Sequence, residues 1–284
     1  MGKVIMSSIV PNLTTPIVVD SILNNNSWET IKKISDSGTG ANYWSVGDRK
    51  AVVLNGTVGH LTLSNYTTYA FIIGFNHNAE LEGNNRIHFQ LAKTALSGGT
   101  DICFYDSQYS PDRSWGAAGV GYFIMNTSKT NSGGWQNSYM RNTLCGTNLS
   151  NYSGTFISMV PEALRAVFKP VTKYTDNIAG GNGSVESYVT STEDYIFLLA
   201  ESEVFGSTTT GNEYEQNKQA QYAYYSAGNS IIKYKYDTIN AAAYWWLRSP
   251  ARGTANRFVD VSRAGGNDYS DANGSLGFSP AFCV

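Results

Sequence analysis

Apolar residues at Trp28, Ile31 and Ile34 recur at helical spacing and predict a helix over residues 27–37, with Asn26 as its cap, Glu29 at its third position and Gly38 just past its end. Apolar runs at 50–54, 60–63 and 69–75 predict three strands. The last, Tyr-Ala-Phe-Ile-Ile-Gly-Phe, is almost continuously apolar and reads as a buried central strand. Residues 87–91 and 102–105 fit further strand pairing and a short helix equally well. The spacing of Trp135, Tyr139 and Leu144, with Gly146 behind them, predicts a helix over 133–145. Leu164, Val167 and Phe168 after Pro161 predict another over 161–168, ended by Pro170. A Tyr-studded helix is expected over 213–225, stopped by Gly228, and strands at 193–200, 244–247, 258–262 and 277–282. Residues 1–26, with the breakers Pro11 and Pro16 and the loop Asn24-Asn25-Asn26, read as an N-terminal extension. The Gly/Asn-rich run 177–184 is a loop and no long linker divides the chain, so one α+β domain is expected over 27–284.

Of the 284 residues 42% are hydrophobic and only 15% charged, with 28 Gly, 19 Tyr and 6 Trp. Such a chain can bury a core, and its surface must be largely Ser, Thr, Asn, Gly and Tyr, the mixture of adaptable paratopes. A net charge of −2 argues against a nucleic-acid partner. No apolar stretch approaches the roughly 18 residues of a membrane span. The start, Met1-Gly-Lys-Val-Ile-Met, lacks the apolar core of a signal peptide and carries no myristoylation motif. Cys103, Cys145 and Cys283 are too scattered for a disulfide scaffold or zinc cluster and are expected to be buried, reduced thiols, with Cys283 packed inward on a last strand.

Catalytic patterns are sparse. His77 and His88 flank Glu80 and Glu82, but the spacing fits no metal-ligand motif; exposed or hydrogen-bonded histidines are expected, with His60 a half-buried edge residue. Gly119-Val-Gly121 is a lone glycine pair, and no nucleophile elbow or phosphate loop is present. Glu201 and Glu203 would share a face of a strand, which suits acid–base work, yet a solvated loop after the strand is the simpler expectation. No cofactor and no metal is called for. The block Trp245-Trp246-Leu247-Arg248-Ser249-Pro250 is different. Adjacent Trp245 and Trp246 on a strand point to opposite faces, one toward the core and one under the neighbouring loops. Arg248 can gather several backbone carbonyls through its planar fork, and Pro250 ends the strand.

Beyond this scaffold block, Ala251 to Val284 contains no Lys, Glu, Gln, Met or Trp, although these types fill 38 of the first 250 positions and roughly five would be expected in the tail. Every codon for Met and Trp ends in a purine, as does every codon for the other three. An Asn codon randomised at its two adenines therefore cannot reach any of the five. The tail reads as a rigid anchor followed by a segment, 251–276, diversified from Asn codons.

The block, with Gly277-Phe278-Ser279-Pro280-Ala281-Phe282 and the stretches Ala41-Asn-Tyr-Trp-Ser-Val-Gly, Ile72-Ile-Gly-Phe-Asn-His, Ser138-Tyr-Met-Arg and 160–171, resembles an uncharacterised family of Firmicutes and their phages. That family is similar to the formylglycine-generating-enzyme type of C-type lectin fold used by variable proteins of diversity-generating retroelements. The resemblance implies a C-type-lectin-like domain whose scaffold includes Phe258, Val259, Val261, Ala264, Gly265, Gly266, Ala272 and Phe278. It implies ligand contacts from Arg252, Thr254, Asn256, Arg257, Asp260, Ser262, Arg263, Asp268, Tyr269, Ser270, Asp271 and Gly274, each Asn or reachable from an Asn codon. The paired cysteines of the enzyme branch and the Glu-Pro-Asn and Trp-Asn-Asp calcium motifs of sugar-binding lectins are missing. The expected function is non-enzymatic binding of a surface receptor or variable protein ligand, on a phage tail or bacterial cell surface, by a homotrimer. The alternatives are an undiversified cell-wall binding module and a formylglycine-generating-type enzyme.

Overall fold

The computed structural model describes residues 17–107 and 121–284; the Met1 start, Pro11, Pro16 and Gly119 lie outside them. Thirteen strands follow one another within the described residues: β1 (Arg49–Val58), β2 (Leu61–Phe75), β3 (Ile87–Lys93), β4 (Ile102–Cys103), β5 (Val171–Asp176), β6 (Val189–Asp194), β7 (Ile196–Phe197), β8 (Lys233–Lys235), β9 (Ala242–Ala243), β10 (Trp245–Pro250), β11 (Arg257–Val261), β12 (Asn267–Asp271) and β13 (Ala281–Cys283). The main antiparallel sheet runs β1-β2-β3-β13-β7, so the C-terminal strand closes its centre, Phe282 opposite both Phe89 and Ile196. Smaller sheets β10-β11-β12, β4-β8-β9 and β5-β6 pack around it, and the class is mixed α+β. Among the described residues no helix is long and apolar enough to cross a membrane.

The runs at 60–63 and 69–75 form one strand, β2, because β1 pairs with it continuously apart from a bulge at Leu54/Gly56, carrying its polar middle along. The β1–β2 turn needs Gly59: its φ is +56° and a Cβ there would lie 2.3 Å from Tyr122. The ambiguous stretches resolve as strands, β3 and β4, with Phe104 bridging to Phe278.

The helix Trp28–Asp36 buries Trp28, Ile31 and Ile34, Trp28 edge-on to Phe89 and Phe282. Its cap is Ser27, whose hydroxyl accepts from Thr30 N, rather than Asn26. The Asn26 amide instead turns back to Asp20 O and Ile22 O. The Trp44 indole on Asp20 O and Ala51 N on Asn24 Oδ1 tie residues 20–26, expected in an extension, to the body, and Leu23 enters the core.

The other predicted helices are short. Over 133–145 only Met140–Cys145 coils, as a π-helix, because Gly133 and Gly134 take positive φ and turn the chain against β5. Over 161–168 the helix is Glu162–Arg165, with Pro161 before its first turn. Over 213–225 a 3-10 turn, Glu213–Asn217, and a helical turn, Ala223–Ser226, are separated where the Gln219 side chain pairs with the Tyr174 backbone and Tyr222 N donates to Glu203 O. The strand expected over 193–200 breaks into the end of β6 and β7, followed by the helix Glu201–Phe205.

Candidate functional site

The Trp block is held from every side. Trp245 and Trp246 are both fully buried, their indole N–H groups donating to Ile231 O and Phe123 O at 3.0 Å each. Buried Arg248 reaches only one backbone carbonyl, Leu198 O at 2.7 Å. Its other bonds go to side chains, Glu203 at 2.5 Å, Gln219 at 2.6 Å and Thr175 at 3.0 Å. Glu203 also takes Lys173 at 2.9 Å, and Lys173 continues to the Tyr222 hydroxyl at 2.9 Å. Burial alone would raise Glu203, but Arg248 and Lys173 outweigh it and hold its carboxyl well below the usual range.

Glu201 and Glu203 are therefore buried members of one helix rather than a solvated loop. Expected to be exposed or hydrogen-bonded, His77 and His88 are both buried and join the same network. His77 stacks on Tyr222 at 3.7 Å between centroids, and His88 meets the Tyr222 hydroxyl at 3.0 Å. Burial first, then Lys173 and other neighbours, lowers both imidazoles, His88 the more. Among the described residues no three ligating side chains are grouped to hold a metal ion. His60 is part-buried with Nδ1 on Asp106, as its edge position suggests. All three thiols are free and buried, and burial pushes Cys103 up to about 12 and Cys283 to about 11.

Pro250 leads from this anchor into the loop before β11, and β11 pairs with the outer strand β12 from Arg257↔Asp271 to Val261↔Asn267. Phe258, Val259, Val261, Ala272 and Phe278 are buried. Ala264 and Gly266 are exposed at the hairpin turn, Gly265 part-exposed. Arg252 and Tyr269 are exposed; Thr254, Asn256, Arg257, Ser262, Arg263, Asp268 and Asp271 are part-exposed.

On this face Arg257 lies 4.9 Å over the Tyr269 ring and pairs with Asp271, which also takes Lys129 at 2.8 Å and the Asn256 amide at 3.2 Å. Arg252 leans to Ser184 at 3.2 Å and Glu213 at 3.6 Å, and Arg263 lies 5.7 Å over Tyr244. Three expected contact residues depart from the pattern: Asp260, Ser270 and Gly274 are buried. Val259 and Asp260 are successive residues on opposite faces of β11 and both are fully buried, so both faces of the strand are covered at this point. Neither Asp260 oxygen finds a hydrogen-bond partner of good geometry, and burial pushes this carboxyl up to about 8, Ser270 drawing it back and Asp268 adding to the rise.

The backbone under these side chains is held from outside the segment. Buried Asn131 donates its side-chain amide to Ala251 O at 3.2 Å, Thr254 O at 2.8 Å and Arg257 O at 2.9 Å. Arg252 N donates to Thr210 O and Gly253 N to Asn182 O, both at 2.9 Å. At the far end, Asn267 donates to Glu201 and to the Thr209 and Thr210 hydroxyls, while Glu201 accepts from the backbone of Thr209, Thr210 and Gly211. Asn131, Glu201 and Asn267 carry no marking in the sequence as anchors of this loop. The only local signal at Asn131 is the turn-forming Asn-Ser-Gly-Gly.

Two clefts of about 330 and 240 Å³ are lined by residues 21–24, 47–49 and 96–98, and by Leu149, Tyr152, Glu162, Arg165 and Ala166; neither is lined by the tail. The model of a family described as a domain of unknown function (DUF6273) matches residues 122–284, which includes the Trp block, Asn131, Glu201 and the whole tail. No curated protein and no solved structure matches the chain.

Proposed function

The chain belongs to the DUF6273 family, and from that premise we propose that it is a non-enzymatic binding protein with a C-type-lectin-like body, the variable protein of a diversity-generating retroelement. One observation carries the reading. The tail segment that lacks every residue type unreachable from an Asn codon also has its backbone at 251–257 hydrogen-bonded from outside while the side chains of Arg252, Arg257 and Tyr269 reach solvent. Such a surface changes its chemistry without changing its shape. The target contacts come from the accessible positions, with Arg252, Arg257 and Tyr269 foremost; Tyr and Arg dominate interface energetics. The receptor is a macromolecule met from a phage tail or bacterial surface, and trimeric display would raise a weak single-site affinity.

The competing reading is an undiversified cell-wall binding module of the same body. The genomic locus separates them: a reverse transcriptase gene and a near-copy template with Asn codons at the display positions are expected, and a locus with neither sinks the diversification reading. The enzyme alternative needs a reactive thiol, and the high thiol pKa values count against it.

A further inference from the structure

We infer that Asn131 is the positioning residue of the display loop, fixing the path of residues 251–257 through backbone groups alone, so that the loop keeps one conformation whatever side chains stand at 252, 254, 256 and 257. The purpose of the clamp rests on the display reading; its geometry does not. The side-chain amide nitrogen serves three carbonyls, Ala251, Thr254 and Arg257, with two N–H donors, so one bond is shared. The side-chain oxygen accepts from Gly180 N at 2.9 Å, and the Asn131 backbone N–H donates to Ala255 O at 2.9 Å. All five partners are backbone atoms, which every residue type supplies except where proline removes an N–H.

The residue type follows from this pattern. Asp would set a carboxylate against three carbonyl oxygens, Ser has one donor, and Gln is one methylene too long for a fully buried site. Asn131 is itself fixed from beneath. Gly134 N donates back to Asn131 O at 3.0 Å, and Gly133 N to Ile178 O at 3.1 Å. Gly134 has φ +53°, and a Cβ there would lie 1.8 Å from Asp176 O, so the turn that presents the amide is locked against the end of β5. The clamp thus joins the display loop to the loop following β5, neither of which holds it through a side chain of its own.

Hydrogen exchange on the full chain tests the clamp without a ligand. In Asn131→Asp and Asn131→Ser the amides of Ala251, Arg252 and Gly253 should exchange about tenfold faster or more, while those of β2 and β3 keep their protection. In the second arm Asn131 is intact and Arg252, Thr254, Asn256 and Arg257 are all replaced by Ser; loop protection should stay within about twofold of the natural chain. Unchanged protection in both Asn131 variants, or lost protection in the four-Ser chain, overturns the inference. Should the Asn131 variants fail to fold, the four-Ser arm decides alone. Neither arm depends on the genomic locus, so the clamp and the display reading fail separately.

Discussion

Asp260 and Arg248 show how differently two buried charges behave. Asp260 faces Asp268 across the strands and has no good partner, so the folded chain keeps a proton on it up to about pH 8 that the unfolded chain releases near 3.8. The unfolded state binds fewer protons across that window, so this group's contribution to stability falls as pH rises from about 4 to 8 and is level above. Asp260→Asn should stabilise the chain at pH 8 by about 1–3 kcal/mol and much less at pH 4. Urea denaturation at the two pH values reads this, and an equal effect at both would refute the burial argument. Arg248 is satisfied on every donor group that the structure engages. Arg248→Met leaves Glu203 in the core with Lys173 as its remaining cation, and a loss of about 3–5 kcal/mol is expected in the same assay. A loss under 1 kcal/mol would show that the network is not a structural anchor.

At the scale of the element, the β11–β12 hairpin and the loop before it separate accessible side chains from supporting ones. Arg252→Ala, Arg257→Ala and Tyr269→Ala remove side chains that face solvent, and each should change stability by no more than about 0.5 kcal/mol. Phe258→Ala, on the same hairpin but fully buried, should cost about 3–5 kcal/mol. Parity between the two groups in equilibrium unfolding would contradict the division of the hairpin. The surface pair Arg257–Asp271 is weak support by the same reasoning, since exposed ion pairs contribute about 0–1 kcal/mol.

Across the whole molecule, the polar network of Arg248, Glu203, Lys173, Tyr222, His77 and His88 joins β3, β5 and β10 to the helix Glu201–Phe205 and makes the fold acid-sensitive. Both imidazoles titrate below their ordinary 6.5, so the unfolded state binds protons first; stability is full above about pH 6.5 and declines as pH falls toward the folded values. Glu203, held low, adds a further loss below its ordinary 4.5. The melting temperature should therefore drop between pH 7.5 and 5, and His88→Gln should flatten that slope. An unaltered slope would place the acid sensitivity elsewhere.

Much was legible locally. The first helix, the apolar runs of β1 and β2 and the inward Cys283 follow from periodicity and apolar character, which act within a few residues. The composition gap of the tail is a property of the sequence alone. Other features depended on partners far along the chain. Glu201 and Glu203 look like loop residues until Arg248, Lys173 and the 209–211 backbone surround them. The predicted helix at 133–145 gives way because Gly134 must meet the carbonyl of Asp176, and the one at 213–225 because Gln219 pairs with Tyr174. Asp260 passes for an accessible residue until the packing of the body buries both faces of β11 around it. The sequence by itself determined which residues are apolar, which turns are possible and which segment is compositionally marked. Burial and hydrogen-bond partnership are non-local, so only the tertiary structure decided which polar residues anchor that segment and which of its side chains reach solvent.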